Sequence, residues 1–295
     1  VAQDGRALMT VNGQRYEARW LGPDDARERD ISWMSHSAPA SLAADGRSVL
    51  FSRYDAGAGR DYEVGLRRLD APSAVRLGTG EAMQLSPDGT RALAIVYSSP
   101  NQLLVLPSGA GEPRSLTVDG FNYRAAGWHS DGRRVVFVGG PQGHAFSTYI
   151  QDAAGGAPTR LDVDLGADPG GFDNLSLLVS PDGKWFTAGA GPPTLLPLEG
   201  GQPRRLPNLG STDIPIGWTL DGRLFVSRSG SIEGAVQIVR VDVANGAIEQ
   251  VREIVPNDLV GLKQRLLCLI TPDGRTIVYV TKRYLTDLYL VEGLR

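Results

Sequence analysis

The chain has 295 residues, 41% of them hydrophobic, which is enough to bury a sizeable core and excludes a disordered protein. Its formal net charge is −3 with a pI near 5.7, so it has no global basic field to hold nucleic acid or anionic lipid. The cations are nearly all arginine, with lysine at Lys184, Lys263 and Lys282 alone, which reads as base composition rather than as a phosphate-binding surface.

From its first residues the chain is punctuated by Asp-Gly pairs: Asp4-Gly5, Asp45-Gly46, Asp88-Gly89, Asp131-Gly132, Asp182-Gly183, Asp221-Gly222 and Asp273-Gly274. By subtraction they lie 39 to 52 residues apart. Each has a short apolar stretch before it and a hydrophobic run after it, which reads as strand, tight turn, strand. Proline fixes φ, aspartate bonds the backbone ahead of it, and glycine accepts positive φ, so each residue of the turn has its own reason to be there.

The runs between turns are equally regular. After Asp45-Gly46 come Val49-Leu50-Phe51, then Tyr62 to Leu66, then Ala74 to Leu77, and Ala82 to Leu85 leads into the next pair. Four strands per repeat and no helix-period segment predict an all-β chain, a β-propeller of four-stranded antiparallel blades spanning residues 1–295 as one domain. Two wide spacings place insertions near Asp162 to Asp173 and near Val255 to Arg265, and loops on a rigid repeat scaffold are where specificity resides. Cys268 follows, alone in the apolar run Leu266 to Ile270; it excludes an internal disulfide or thiolate metal cluster and reads as a core thiol. No apolar stretch of about twenty residues and no signal peptide is seen.

The phase of the ends sets the expected blade count. The chain starts inside a turn and stops after the run Asp287 to Val291, so the first repeat lacks its first strand and the last repeat its fourth. We therefore expect seven blades, with roughly fifteen to twenty residues upstream of Val1 supplying the missing strands. The alternative is six blades, with the N-terminal segment as an irregular flap.

The Ser/Thr-Pro-Asp-Gly turns at Leu85 to Gly89, Val179 to Gly183 and Ile270 to Gly274, with the degenerate copy Trp128-His129-Ser130-Asp131-Gly132, resemble the repeats of TolB-like, WD40-like propellers across essentially the whole chain. Gly155-Gly156 and Gly200-Gly201 fit the pattern; Ala43 to Gly46 and Thr219 to Gly222 depart from it by losing the proline. Glu28 to Trp33, Val75 to Gly78, Gly109 to Arg114 and the ending Asp287 to Arg295 further resemble the C-terminal propeller of acidobacterial-type receptor Ser/Thr protein kinases. That resemblance implies a sensor or binding region of a larger protein. It implies a place on the extracytoplasmic side of a membrane anchor, with a cytoplasmic location as the alternative. No Gly-rich phosphate loop, His-Arg-Asp loop or Asp-Phe-Gly triplet is present, so kinase activity is not assigned to this chain.

Catalytic motifs are equally lacking. Related propellers gate prolyl-oligopeptidase-like hydrolases, yet no Gly-x-Ser-x-Gly elbow occurs here. Of the histidines His36, His129 and His144, His129 fills a turn slot held by Ser or Thr elsewhere and reads as structural. Asp162, Asp164, Asp168 and Asp173 form the densest carboxylate cluster, but Gly166 and Ala167 break the calcium-loop template and leave a solvated insertion. No metal or other cofactor is expected.

A propeller's natural site is the mouth of its channel. Counting seven to nine positions back from each turn aspartate gives His36, Glu81, Arg124, Asn174, Asp213 and Arg265 as candidate ligand-binding residues. Trp33, Phe121, Tyr123 and Phe172 lie nearby and would offer a contact surface or pack between blades; Trp128, Trp185 and Trp218 read as packing. The expected function is non-enzymatic recognition of a protein, peptide or small ligand. A lyase or hydrolase at the channel mouth, and a TolB-like partner of envelope proteins, are the alternatives.

Overall fold

Six of the seven Asp-Gly pairs fall within the described part of the computed structural model, and each closes a hairpin. The residues described are 6–23, 27–33, 37–54, 62–71, 73–163, 177–187, 192–230, 235–256, 260, 262 and 267–291; Asp4-Gly5 lies outside them. At Ser86 to Gly89 the Gly89 N–H donates to the Ser86 carbonyl (2.8 Å) with φ at +71°, a turn with proline second and glycine fourth. Asp88 Oδ1 accepts from the Thr90 amide (3.0 Å), and Ser86 Oγ accepts from the Arg91 amide (3.0 Å). Ser180 with Asp182, and Thr271 with Asp273, repeat this chemistry. At His129 an imidazole replaces the hydroxyl. Its Nδ1 accepts from the Asp131 amide (3.2 Å), and Nε2 faces the Gly183 carbonyl of the neighbouring turn at 3.3 Å.

The strands run in chain order as β1 (Ala7–Leu21), β2 (Arg29–Asp30), β3 (Ser37–Leu42), β4 (Ser48–Arg53), β5 (Glu63–Arg68) and β6 (Ala74–Thr79). Next come β7 (Glu81–Leu85), β8 (Arg91–Val96), β9 (Gln102–Pro107), β10 (Arg114–Ser115), β11 (Phe121–Trp128), β12 (Arg134–Pro141), β13 (Ser147–Asp152) and β14 (Thr159–Arg160). The series ends with β15 (Leu178–Val179), β16 (Trp185–Thr187), β17 (Thr194–Pro197), β18 (Arg204–Arg205), β19 (Ile214–Trp218), β20 (Leu224–Ser229), β21 (Val236–Val241), β22 (Ile248–Ile254), β23 (Leu267–Ile270) and β24 (Ile277–Val291). They form six four-stranded antiparallel sheets. Five are consecutive, β3 to β6 through β19 to β22, and the sixth has the order β23, β24, β1, β2. Their first strands, β3, β7, β11, β15, β19 and β23, neighbour one another in a closed ring and line the axis.

The propeller therefore has six blades, not seven, and the N-terminal segment is not a flap. β24 runs unbroken from Ile277 to Val291, so Asp287 to Val291 continues the second strand of a blade instead of forming its third. The third strand is β1, paired with β24 from Leu21↔Ile277 to Ala7↔Val291. The two incomplete repeats combine into one closing blade.

Burial supports the same count. Each blade interface among the described residues has its own apolar cluster, six in all. Leu93 and Ile95 of the second blade meet Trp128 and Phe137 of the third, and Ala18 and Val278 of the closing blade meet Val49 of the first. Tryptophans clamp the joints: Trp128 Nε1 donates to the Gln84 carbonyl (3.3 Å) and Trp218 Nε1 to that of Leu178 (3.1 Å). The Arg91 guanidinium stacks 4.6 Å over Trp128. Phe121 and Tyr123 are buried in an aromatic cluster with Phe137 and Tyr149, so they serve packing and not contact. Cys268 is a buried core thiol. Among the described residues no helix is long and apolar enough to cross a membrane.

The turn aspartates make acid stability predictable. Burial opposes ionisation of Asp131, yet the Arg134 and Arg133 amides and the Arg134 guanidinium outweigh it and hold its carboxyl below the ordinary range. At Asp182 and Asp273 burial is likewise outweighed, by the Ser180 and Thr271 hydroxyls. At Asp88 and Asp221 the largest influence is the neighbouring hydroxyl of Ser86 or Thr219, which lowers the pKa. A carboxyl whose folded pKa is depressed stabilises the fold above its unfolded pKa, about 3.9. That stabilisation disappears as pH falls through the lower folded value. Thermal melts should be flat from about pH 7 to 5 and drop steeply below about 4, and Asp131→Asn with Asp182→Asn should make the drop shallower. An unchanged acid profile in the double variant would count against this assignment.

Candidate functional site

Strand alternation gives the two faces of the ring different characters. The Asp-Gly turns occupy one, where Gly46 sits beside Thr276 and Gly183 beside His129. The connections between second and third strands, and those between blades, open on the other. In sequence the two insertions fall between β14 and β15 and between β22 and β23; of these connections, residues 164–176, 257–259, 261 and 263–266 are outside the described set. Asp164, Asp168, Asp173 and Phe172 of the first insertion are among them. Among the described residues no three His, Cys, Asp or Glu side chains converge as a metal site.

Three of the six expected channel residues are described. Glu81 opens β7 and is 5% exposed. Its Oε1 accepts from the Tyr54 hydroxyl (3.1 Å) and its Oε2 from that of Tyr97. Tyr54 follows β4 of the preceding blade and Tyr97 follows β8, so one carboxylate ties two blades. Tyr62 stands edge-on to both rings, at 4.7 and 5.4 Å. Burial and then the Glu81 carboxylate push both tyrosine hydroxyls well above the usual phenol range. Asp213, 8% exposed just before β19, accepts from the Gly210 amide (2.9 Å) and pairs with Arg228 (3.0 Å). Arg124 sits at a bulge in β11, partly exposed, with its guanidinium 5.8 Å from the Phe146 ring.

Glu81 and Arg124 thus stand on adjacent inner strands, while Asp213 enters the ring from the fifth blade. His36, Asn174 and Arg265 lie outside the described residues. Trp33 neighbours the Arg67 guanidinium, which donates to the Ile31 carbonyl at 2.7 Å; this is a joint between the closing and first blades.

Two features escaped the sequence reading. One is the tyrosine grip on Glu81, although Tyr54 and Tyr97 follow equivalent strands one repeat apart. The other is a cleft of about 480 Å³ between the outer strands of the fifth and closing blades, lined by Arg19, Leu21, Arg27, Glu28, Arg252, Glu253, Ile254 and Val255. Glu28 in its wall accepts from the Tyr279 hydroxyl. Its residues lie at opposite ends of the chain, so no local pattern announces it.

No family model and no curated protein matches the sequence. Solved structures do. A putative TolB from Agrobacterium tumefaciens has a TM-score of 0.59 at 21% identity, over 92% of this chain and 99% of that one. TolB from Acinetobacter baumannii has a TM-score of 0.57 at 16% identity, over 80% of this chain and 64% of that one. A prolyl endopeptidase has a TM-score of 0.50 at 15% identity, over 94% of this chain and 47% of its own. At such identities the likeness establishes architecture alone: the chain folds as a TolB-like β-propeller of four-stranded blades.

Proposed function

We propose that this propeller is a non-enzymatic binding module that presents the loop-bearing face around its channel to a protein, a peptide or a small ligand. The observation that carries this reading is the state of the carboxylates at the inner strands. Both oxygens of Glu81 are engaged by tyrosine hydroxyls, and Asp213 is held by Arg228 and a backbone amide. Such groups stiffen a rim and are poorly placed to shuttle protons. Arg124 supplies a partly exposed cation beside Phe146, a combination suited to anchoring an acidic side chain. The resemblance of the ending Asp287 to Arg295 to receptor kinase propellers supports a regulatory region of a larger bacterial Ser/Thr kinase, on the extracytoplasmic side of its anchor.

Selection of a random peptide library on the immobilised propeller tests the reading. Peptides enriched on the wild type are expected to bind Arg124→Glu at least tenfold more weakly, at an unchanged melting temperature. Equal binding to the variant would move the site away from the channel mouth. Cleavage of the selected peptides, followed by mass spectrometry, would favour an enzyme instead.

A further inference from the structure

The closing blade is longer than the sheet that holds it. β2 pairs with β1 at Arg19 and Trp20 alone, and β23 pairs with β24 from Ile277 to Val280. Beyond them β1 and β24 continue as a two-stranded ribbon to Ala7↔Val291, with one isolated bridge at Leu262↔Arg283. In the distal part, Leu8, Met9, Val11, Tyr284, Leu288, Tyr289 and Leu290 are each between 40% and 66% exposed. The register sorts them by face. Leu8 opposite Leu290, with Leu288 and Tyr284, forms one side; Met9 opposite Tyr289, with Val11, forms the other. Natural sheets protect such edges with charge. Here Asp287 is the sole charged residue across 7–14 and 284–291, and it lies on the Met9 side.

We propose that the Leu8, Tyr284, Leu288 and Leu290 face is a dimer interface, on which the same face of a second copy of this chain docks about a twofold axis. Charge bears on the occupant: it lies at the base of the face, where Lys282 stands 5.4 Å from the Tyr284 ring. The rows of Leu8, Leu288 and Leu290 beyond it carry no charged residue across 7–14 and 284–291, so these rows offer nothing to a charged partner and two copies meet there without repulsion. Self-complementarity comes with the symmetry, because an isologous interface sets the same patch against itself. At roughly 200 Å² per large side chain, the exposed fractions give about 450 Å² per copy. Two copies bury about 900 Å² before the intervening residues are counted, close to the threshold of a specific but weak dimer. Packing at sheet-on-sheet spacing, about 10 Å, interdigitates the leucine rows.

Sedimentation velocity of the 295-residue chain from about 5 to about 200 µM tests this. The wild type is expected to shift from monomer to dimer over that range. Leu8→Lys with Leu288→Lys should weaken association at least tenfold, while Met9→Lys with Val11→Lys on the opposite face should leave it unchanged. All these positions are exposed, so thermal melts should coincide with the wild type. A wild type that stays monomeric at the highest concentration overturns the proposal, as does a dimer indifferent to the leucine substitutions or equally sensitive on both faces. Monomers that bind phosphatidylcholine vesicles through the ribbon would overturn it in favour of a lipid surface.

Discussion

Replacing Gly127 by alanine is expected to destabilise the propeller by about 3 kcal/mol or more, and replacing it by valine to abolish soluble expression. Gly127 lies in β11, the inner strand of the third blade. A Cβ built there would stand 2.1 Å from the Leu177 carbonyl oxygen and 2.9 Å from Leu177 Cβ, at the entry to the fourth blade. The obstruction is backbone, so no rotamer relieves it and the two blades must separate. Separation would open the cluster of Ala125, Val136, Leu177 and Phe186, all buried. Gly89→Ala provides the contrast, because no atom lies within 4 Å of its Cβ but its φ is +71°; left-handed strain alone costs about 1–2 kcal/mol. Urea unfolding of the two variants checks the ranking. Equal midpoints would mean that blade spacing is looser than this packing requires.

The second large effect concerns Glu81. Tyr54→Phe and Tyr97→Phe each remove one hydroxyl donor and should cost about 1–2 kcal/mol. Together they leave a buried carboxylate without either hydroxyl, and the double variant should lose about 3–5 kcal/mol, more than the singles combined. Adding Glu81→Gln removes the charge and should restore part of that loss, because an unpaired buried ion costs more than an unpaired amide. Denaturant midpoints for the four variants form a cycle. A double variant that unfolds with the wild type would show that water solvates the carboxylate.

How much of this was legible in the sequence depends on how local each interaction is. The Asp-Gly turns are closed by groups within five residues, as Ser86, Asp88 and Arg91 show, so the repeat and its four-strand unit were visible. The run from Ala82 to Leu85 was placed correctly because it abuts a turn. The blade count was misread because it depends on the pairing of β1 with β24, which no neighbouring residue encodes. In sequence, Lys282 and Arg283 interrupt the apolar run that begins at Ile277. In the fold they sit opposite Tyr16 and Arg15 within one continuous ladder.

Counting back from the turns reached Glu81 and Asp213, since both stand at a fixed distance from a local landmark. Their partners were missed. Tyr97 and Arg228 come from the next strand of the same blade, and Tyr54 from the blade before. The cleft lined by Arg19 and Arg252 was beyond reach for the same reason.

The closing blade also governs the order in which the molecule is completed. Five blades are built from consecutive strands and can fold as they leave the ribosome. β1 and β2 are synthesised first, yet their partner β24 comes last. At about 5–20 residues per second, β1 waits some tens of seconds for that partner. During this time the buried side chains of Ala18 and Leu21 have no sheet to join. Ring closure is then the step of greatest sequence separation, and contact order makes it the slowest. A chain cut and rejoined so that the closing blade becomes continuous should refold faster while reaching the same six-bladed state.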